Sequence, residues 1–96
     1  SLASFLRLGF LFMVQVYILA SVVNEKWYIG HSANVPERLQ RHNAGRSKAT
    51  KNGRPWKLIF LRDFDTRGEA MAFETKLKSL RNKDYITETF ANYFLA

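Results

Sequence analysis

Five residues of this chain have types and spacings that could do chemistry together. Tyr17 and Tyr28 are eleven residues apart, Arg38 follows ten later, His42 four after that, and Glu74 lies in a later helical stretch. Hydrolysis of a phosphodiester would use such a set. A carboxylate holds a divalent cation, an arginine neutralises developing charge, and a tyrosine or histidine handles the proton of an attacking water. One carboxylate is a poor magnesium site unless substrate phosphate and waters complete the octahedron. The metal, Mg2+ or Mn2+, would therefore bind together with the nucleic acid. Each residue has a plain structural reading as well: cross-strand packing for the tyrosines, a buried histidine, an ion-paired glutamate. The five together share no such reading.

The elements that must position them follow from local pattern. Val14 to Leu19 reads as a strand, with Gln15 and Tyr17 on one face and Val14, Val16 and Ile18 on the other. Lys26 to His31 reads as its partner, with Lys26, Tyr28 and Gly30 sharing a face. A two-residue turn at Val22-Val23 would force positive φ on β-branched residues. A four-residue loop, Ser21 to Asn24, is expected instead; it sets Ala20 opposite Glu25 and Tyr17 opposite Tyr28.

Asn34, Pro36 and Glu37 form a helix start, and the helix should end near Ala44 before Gly45. Val35 and Leu39 define its apolar stripe, and Arg38 and His42 share it, so both should face the sheet. Trp56 to Phe64 reads as a third strand. Thr66 to Glu69 is a capping box opening a helix over Arg67 to Leu80, whose stripe of Ala70, Phe73 and Leu77 includes Glu74. The expectation is a carboxylate emerging beside the tyrosines. A last helix should run from about Lys83 to Phe94. The fold class is α+β, a three-stranded antiparallel sheet flanked by helices.

Composition narrows the partner. The net charge is +7, and the stretch from Arg38 to Arg62 holds eight basic residues and no acidic one, which favours a polyanion. Arg41, Arg46, Lys48, Lys51 and Arg54 are the candidate nucleic-acid contacts, mostly on a polar loop with Gly53 and Pro55 as breakers. Such a loop should hold phosphate backbones without reading bases. The chain has no cysteine, which excludes disulfides, zinc-thiolate sites and cysteine nucleophiles. Residues 1–12 are apolar but for Arg7. Arg7, Gly9 and Gln15 interrupt any membrane span, and a secretory cut near Ala20 would delete Tyr17. Met13 is taken as the natural start, leaving 1–12 as an extension without function and 13–96 as one domain, cytoplasmic and away from membranes.

Val16-Tyr17-Ile18, Tyr28-Ile29-Gly30, Arg38, His42 and Glu74, in this order, resemble the GIY-YIG nuclease domain, particularly its small stand-alone bacterial members. Ser32, Asn34, His42-Asn43, Gly45 and Pro55-Trp56 also fit, and the likeness covers Met13 to about Ile86. The first motif lacks its glycine, and neither Asn82 nor Asn92 stands where many members carry an asparagine after the glutamate. The resemblance implies one-metal cleavage of DNA, in a repair or recombination setting. Tyr17 and Tyr28 match the motif tyrosines, Arg38 the catalytic arginine, His42 a histidine that some members use in proton transfer, and Glu74 the metal ligand. A homodimer or partner protein would supply specificity. The rival readings are a non-catalytic nucleic-acid-binding module on the same fold and a protein-interaction domain whose basic face is incidental.

Overall fold

A computed structural model describes residues 13–95; the extension read at 1–12 lies outside them. Strand β1 spans Val14–Ser21, β2 Trp27–Ser32 and β3 Trp56–Phe64. They form one antiparallel sheet in the order β2-β1-β3, so the strand carrying Tyr17 is central. Helix α1 spans Val35–Asn43, α2 Arg67–Leu80 and α3 Lys83–Thr89. The α+β class expected from the sequence is the one observed.

Alternation along β1 divides the interior in two. Val14, Val16 and Ile18, with Phe60 of β3, face Ala70, Phe73, Leu77 and Ile86 of α2 and α3. Val16, Ile18 and Phe60 have no exposed surface, and each such side chain contributes roughly 1.5–3 kcal/mol of burial. On the opposite face Tyr17 and Leu19 meet Val35 and Trp56, with Leu39, Leu58 and Leu61 around them. Between Ile18 and Leu19 the β1–β3 register slips by one residue. Such a bulge bends the strand and increases its twist.

Local chemistry sets the element ends. Asn34 accepts from the Glu37 amide and Thr66 from the Glu69 amide, each satisfying a donor that a helix start leaves free. Asn82 does the same for Tyr85, so its side chain caps α3. The last helix is shorter than expected. It stops at Thr89, Phe90 leaves helical geometry, and a 3₁₀ turn covers Ala91–Tyr93. The break lets Phe94 bridge to Phe60 and the Leu95 amide donate to the Ile59 carbonyl. The chain end thereby adds backbone pairing to β3, which a continuous helix would have carried away.

The hairpin register also differs from expectation. The loop runs over Val22–Glu25, closed by the Ser21 amide donating to the Lys26 carbonyl at 2.8 Å. The Ser21 hydroxyl accepts from the Val23 and Asn24 amides, and Glu25 takes the left-handed turn at φ 62°. Tyr17 consequently pairs with Gly30, and Leu19 with Tyr28. The shift is two residues, so both tyrosines keep the same face.

Candidate active site

Three elements converge on the Tyr17 side. β1 supplies Tyr17, β2 supplies Tyr28 diagonally across, and α1 supplies His42 from its last turn. The tyrosine rings lie 6.2 Å apart, and the Tyr28 ring is 4.7 Å from the imidazole. Gly30, directly opposite Tyr17, has no side chain, and the Tyr17 hydroxyl fills that space. Tyr17 and His42 are each 2% exposed. Tyr28 is half-buried, and its hydroxyl makes no hydrogen bond among the described residues.

A hydrogen-bonded chain fixes the histidine. The Thr50 hydroxyl donates to the Ser47 carbonyl and accepts from His42 Nδ1 at 2.7 Å. With the Thr50 proton given to the Ser47 carbonyl at 3.4 Å, the imidazole proton is assigned to Nδ1. The Nε2 lone pair then accepts the Tyr17 O–H at 3.1 Å. Thr50 is itself buried and held by neighbours: its carbonyl accepts from the Trp56 indole at 2.7 Å. Sequence reading missed Thr50. Its one signal was a β-branched hydroxyl residue within a loop of Arg46, Lys48, Lys51 and Arg54.

Electrostatics keep the resting protonation states apart. Burial first, and then the charges of Arg38 and Arg41, hold His42 below its ordinary value, so the ring is neutral near pH 7. Burial pushes Tyr17 up to about 12, reinforced by Tyr28 and Glu74 and only partly offset by Arg38. The Tyr17 hydroxyl is therefore a donor at neutral pH. It is no base by itself.

Arg38 corrects one expectation. His42 is buried with Val35 on the α1 stripe, but Arg38 is exposed. It stands on the flank of a short helix, where a long cationic side chain turns its head to water. Its guanidinium makes no ion pair or side-chain hydrogen bond among the described residues, and its charge reaches both Tyr17 and His42.

Glu74 corrects a second. Its Oε1 lies 2.7 Å from His31 Nδ1 and its Oε2 2.8 Å from Lys78 Nζ. His31 alternates with Gly30 and Ser32 on β2, so it points to the α2 side with Trp27 and Ile29. The carboxylate is thus engaged by His31 and Lys78, while its charge still reaches Tyr17. Burial alone would raise its pKa, but the hydrogen bonds from Lys78 and His31 outweigh that and hold it below the usual carboxylate value. His31 was read only as the end of a strand. The period of two that places Tyr28 with Gly30 also places His31 on the helix side, and that signal was available.

The basic segment forms a held loop. Asn43 donates its side-chain amide to the Trp56 carbonyl at 3.1 Å and accepts from the Trp56 amide at 2.7 Å. The Ser21 hydroxyl donates to the Gly53 carbonyl at 2.7 Å. Arg46, Lys48, Lys51 and Arg54 are exposed, and Arg41 is half-buried. Arg54 folds back, Nε donating to the Lys51 carbonyl at 2.8 Å. Its guanidinium lies against Gly45, which takes φ 78°; a Cβ there would fall 2.6 Å from the nearest guanidinium nitrogen. Among the described residues no helix is long and apolar enough to cross a membrane.

The GIY-YIG catalytic domain matches residues 13–87. A UPF0213 protein of Listeria innocua is 42% identical over 76 residues, spanning 75% of this chain and 83% of its own length. UPF0213 protein YazA of Bacillus subtilis is 39% identical over 61 residues, 62% of each chain. A UPF0213 protein of the archaeon Natronomonas pharaonis is 38% identical over 66 residues, spanning 68% of this chain and 76% of its own.

Proposed function

The chain belongs to the GIY-YIG family, a nuclease family, and from that premise we propose that it is a metal-dependent DNA endonuclease hydrolysing phosphodiester bonds. The observation that carries this reading is the Tyr17–His42–Thr50 chain. It presents a neutral imidazole lone pair to a buried hydroxyl within reach of the Arg38 charge.

Tyr17 cannot take a proton while keeping its own. A relay resolves this: the hydroxyl accepts the proton of a water as its own proton passes to His42 Nε2. The Nδ1 bond to Thr50 holds the ring in the tautomer that such a transfer needs. Arg38 would neutralise charge on the phosphate. Tyr28, whose hydroxyl makes no hydrogen bond among the described residues, would hydrogen-bond the substrate or its leaving oxygen. Arg41, Arg46, Lys48, Lys51 and Arg54 would track the phosphate backbone.

The donor chemistry around Glu74 fits one divalent cation that brings water and phosphate oxygens with it. The carboxylate is ionised, and Lys78 on Oε2 is 55% exposed and can swing aside. Among the described residues no three carboxylates or histidines cluster to hold a cation unaided. Glu74 would hold Mg2+ or Mn2+, which when bound would supply positive charge to the scissile phosphate. A repair or recombination role, with a second copy or a partner protein adding specificity, fits a domain that offers backbone contacts and no groove-reading helix.

One observation favours a second reading, nucleic-acid binding without cleavage: both Glu74 oxygens are already engaged, by His31 and Lys78. The test is incubation of supercoiled, branched and single-stranded DNA with Mg2+ or Mn2+, for wild type and Glu74→Gln. Metal-dependent cutting lost in the variant supports the nuclease. Binding with no cutting in either protein supports the second reading.

A further inference from the structure

A second concentration of positive charge lies away from the basic loop. At the outer edge of β2, where the sheet ends, a cleft of about 340 Å³ opens toward the α2–α3 junction. Its floor is apolar, made of Trp27, Ile29, Leu77 and Ile86. Lys26, Lys78, Arg81 and Lys83 stand around it, and its described lining residues include no carboxylate.

We infer that this cleft binds an unpaired stretch of the DNA substrate, with a base against the Trp27 floor and the flanking phosphates on Lys78, Arg81 and Lys83. The inference deepens the nuclease reading by naming DNA with a single-stranded segment as the substrate class, and it rests on that reading for its link to cleavage.

Three observations converge on it. A duplex hides its base faces, so cations alone would serve a duplex backbone. An apolar aromatic floor inside a cationic rim is useful only to a base that is out of the stack. Second, Arg81 occupies the left-handed position after α2, at φ 49°. Glycine is the ordinary residue there, yet this chain keeps a long cation at the cleft mouth. Third, the rim leads to the candidate metal ligand, because Lys78 lines the cleft and also meets Glu74 at 2.8 Å. A strand lying in the cleft would run past that carboxylate. Lys83 lies over the Trp27 ring at 5.2 Å, with its ammonium donating to the Glu25 carbonyl, so a base reaching Trp27 displaces that ammonium from the ring toward a flanking phosphate.

The test is titration of the full chain, without divalent cation, with oligo(dT) and with a blunt duplex of equal length. Trp56 is 7% exposed, with its indole bound to Thr50, so quenching of intrinsic fluorescence by oligo(dT) would report Trp27. The variant Arg81→Gly/Lys83→Gln relieves the left-handed strain at Arg81, and its fold is checked by thermal melting. Its affinity for oligo(dT) should fall at least about fivefold, with the salt slope shallower by about 0.7 for each cation removed. Duplex affinity, held by the loop cations, should change less than about twofold. Unchanged affinity for oligo(dT), or an equal loss on both ligands, would overturn the inference. A parallel cleavage assay keeps the two readings apart. A wild type that binds oligo(dT) as described yet cuts nothing upholds the cleft and ends the nuclease. A cutting wild type with an unaffected variant does the reverse.

Discussion

The Tyr17 hydroxyl lies so close over Gly30 that a Cβ at that glycine would stand 2.8 Å from its oxygen and 2.9 Å from the ring. The tyrosine cannot retreat, because its ring is buried and its hydroxyl is bound to His42. Gly30→Ala should therefore displace Tyr17, costing about 1–3 kcal/mol of stability and most of the cleavage rate. Chemical denaturation and a plasmid-nicking assay read the two effects. Normal stability with normal nicking would show that the contact yields easily.

Tyr17→Phe leaves the ring in place but removes the donor to His42 Nε2. Stability should fall by about 1–3 kcal/mol, the cost of an unsatisfied buried acceptor. Cleavage should fall about 100-fold or more if the hydroxyl relays a proton. Thr50→Val, which frees the imidazole tautomer, should follow the same pattern more weakly. Single-turnover rates compared at equal folded fraction separate chemistry from stability.

Glu74→Gln keeps the size and an acceptor for His31 while removing the charge that a divalent cation needs. The pair is partly exposed, so the stability change should stay near about 1 kcal/mol. DNA binding should be equal or tighter, and metal-dependent cutting absent. A destabilised variant with near-normal turnover per folded molecule would make Glu74 a structural partner of His31 only.

Acid and alkali should act through different groups. His42 has a lowered folded pKa, so the unfolded chain takes up its proton first, and stability should decline as pH falls below about 6.5. Glu74 adds a second loss as pH drops below 4.5 toward its lowered value. Tyr17 has a raised value, so its contribution is intact up to pH 10 and is lost between 10 and about 12. Denaturation midpoints across pH check each window, and His42→Gln should remove the first.

Charge reversal at Lys48 and Lys51 should weaken binding to unrelated duplexes about equally and flatten the salt dependence. A loss confined to one sequence would mean that this loop reads bases.

Most of the framework could be read from the sequence, because periodicity and caps are local. β3 and α2 begin and end where Trp56, Phe64, Arg67 and Leu80 suggested. The hairpin register could not be read, since it depends on the Ser21 hydroxyl and on the left-handed Glu25. The outward turn of Arg38 and the pairing of Glu74 with His31 depend on how a helix sits against a sheet. Helical stripe patterns state only which side is buried. His31 was legible by alternation and was overlooked because it sits at a strand end.

One side chain, Asn43, grips the backbone of Trp56 through both the nitrogen and the oxygen of its amide, and so ties off the twelve residues between them. Thr50 belongs to that stretch, and His42 precedes its first tie, so the basic segment and the imidazole are expected to open as one unit. Amide hydrogen exchange at Trp56 therefore times the exposure of His42 to solvent, and Asn43→Ala should quicken both together. Engagement of Lys48 or Lys51 by a polyanion should slow that exchange, so that occupancy of the loop is registered at the imidazole.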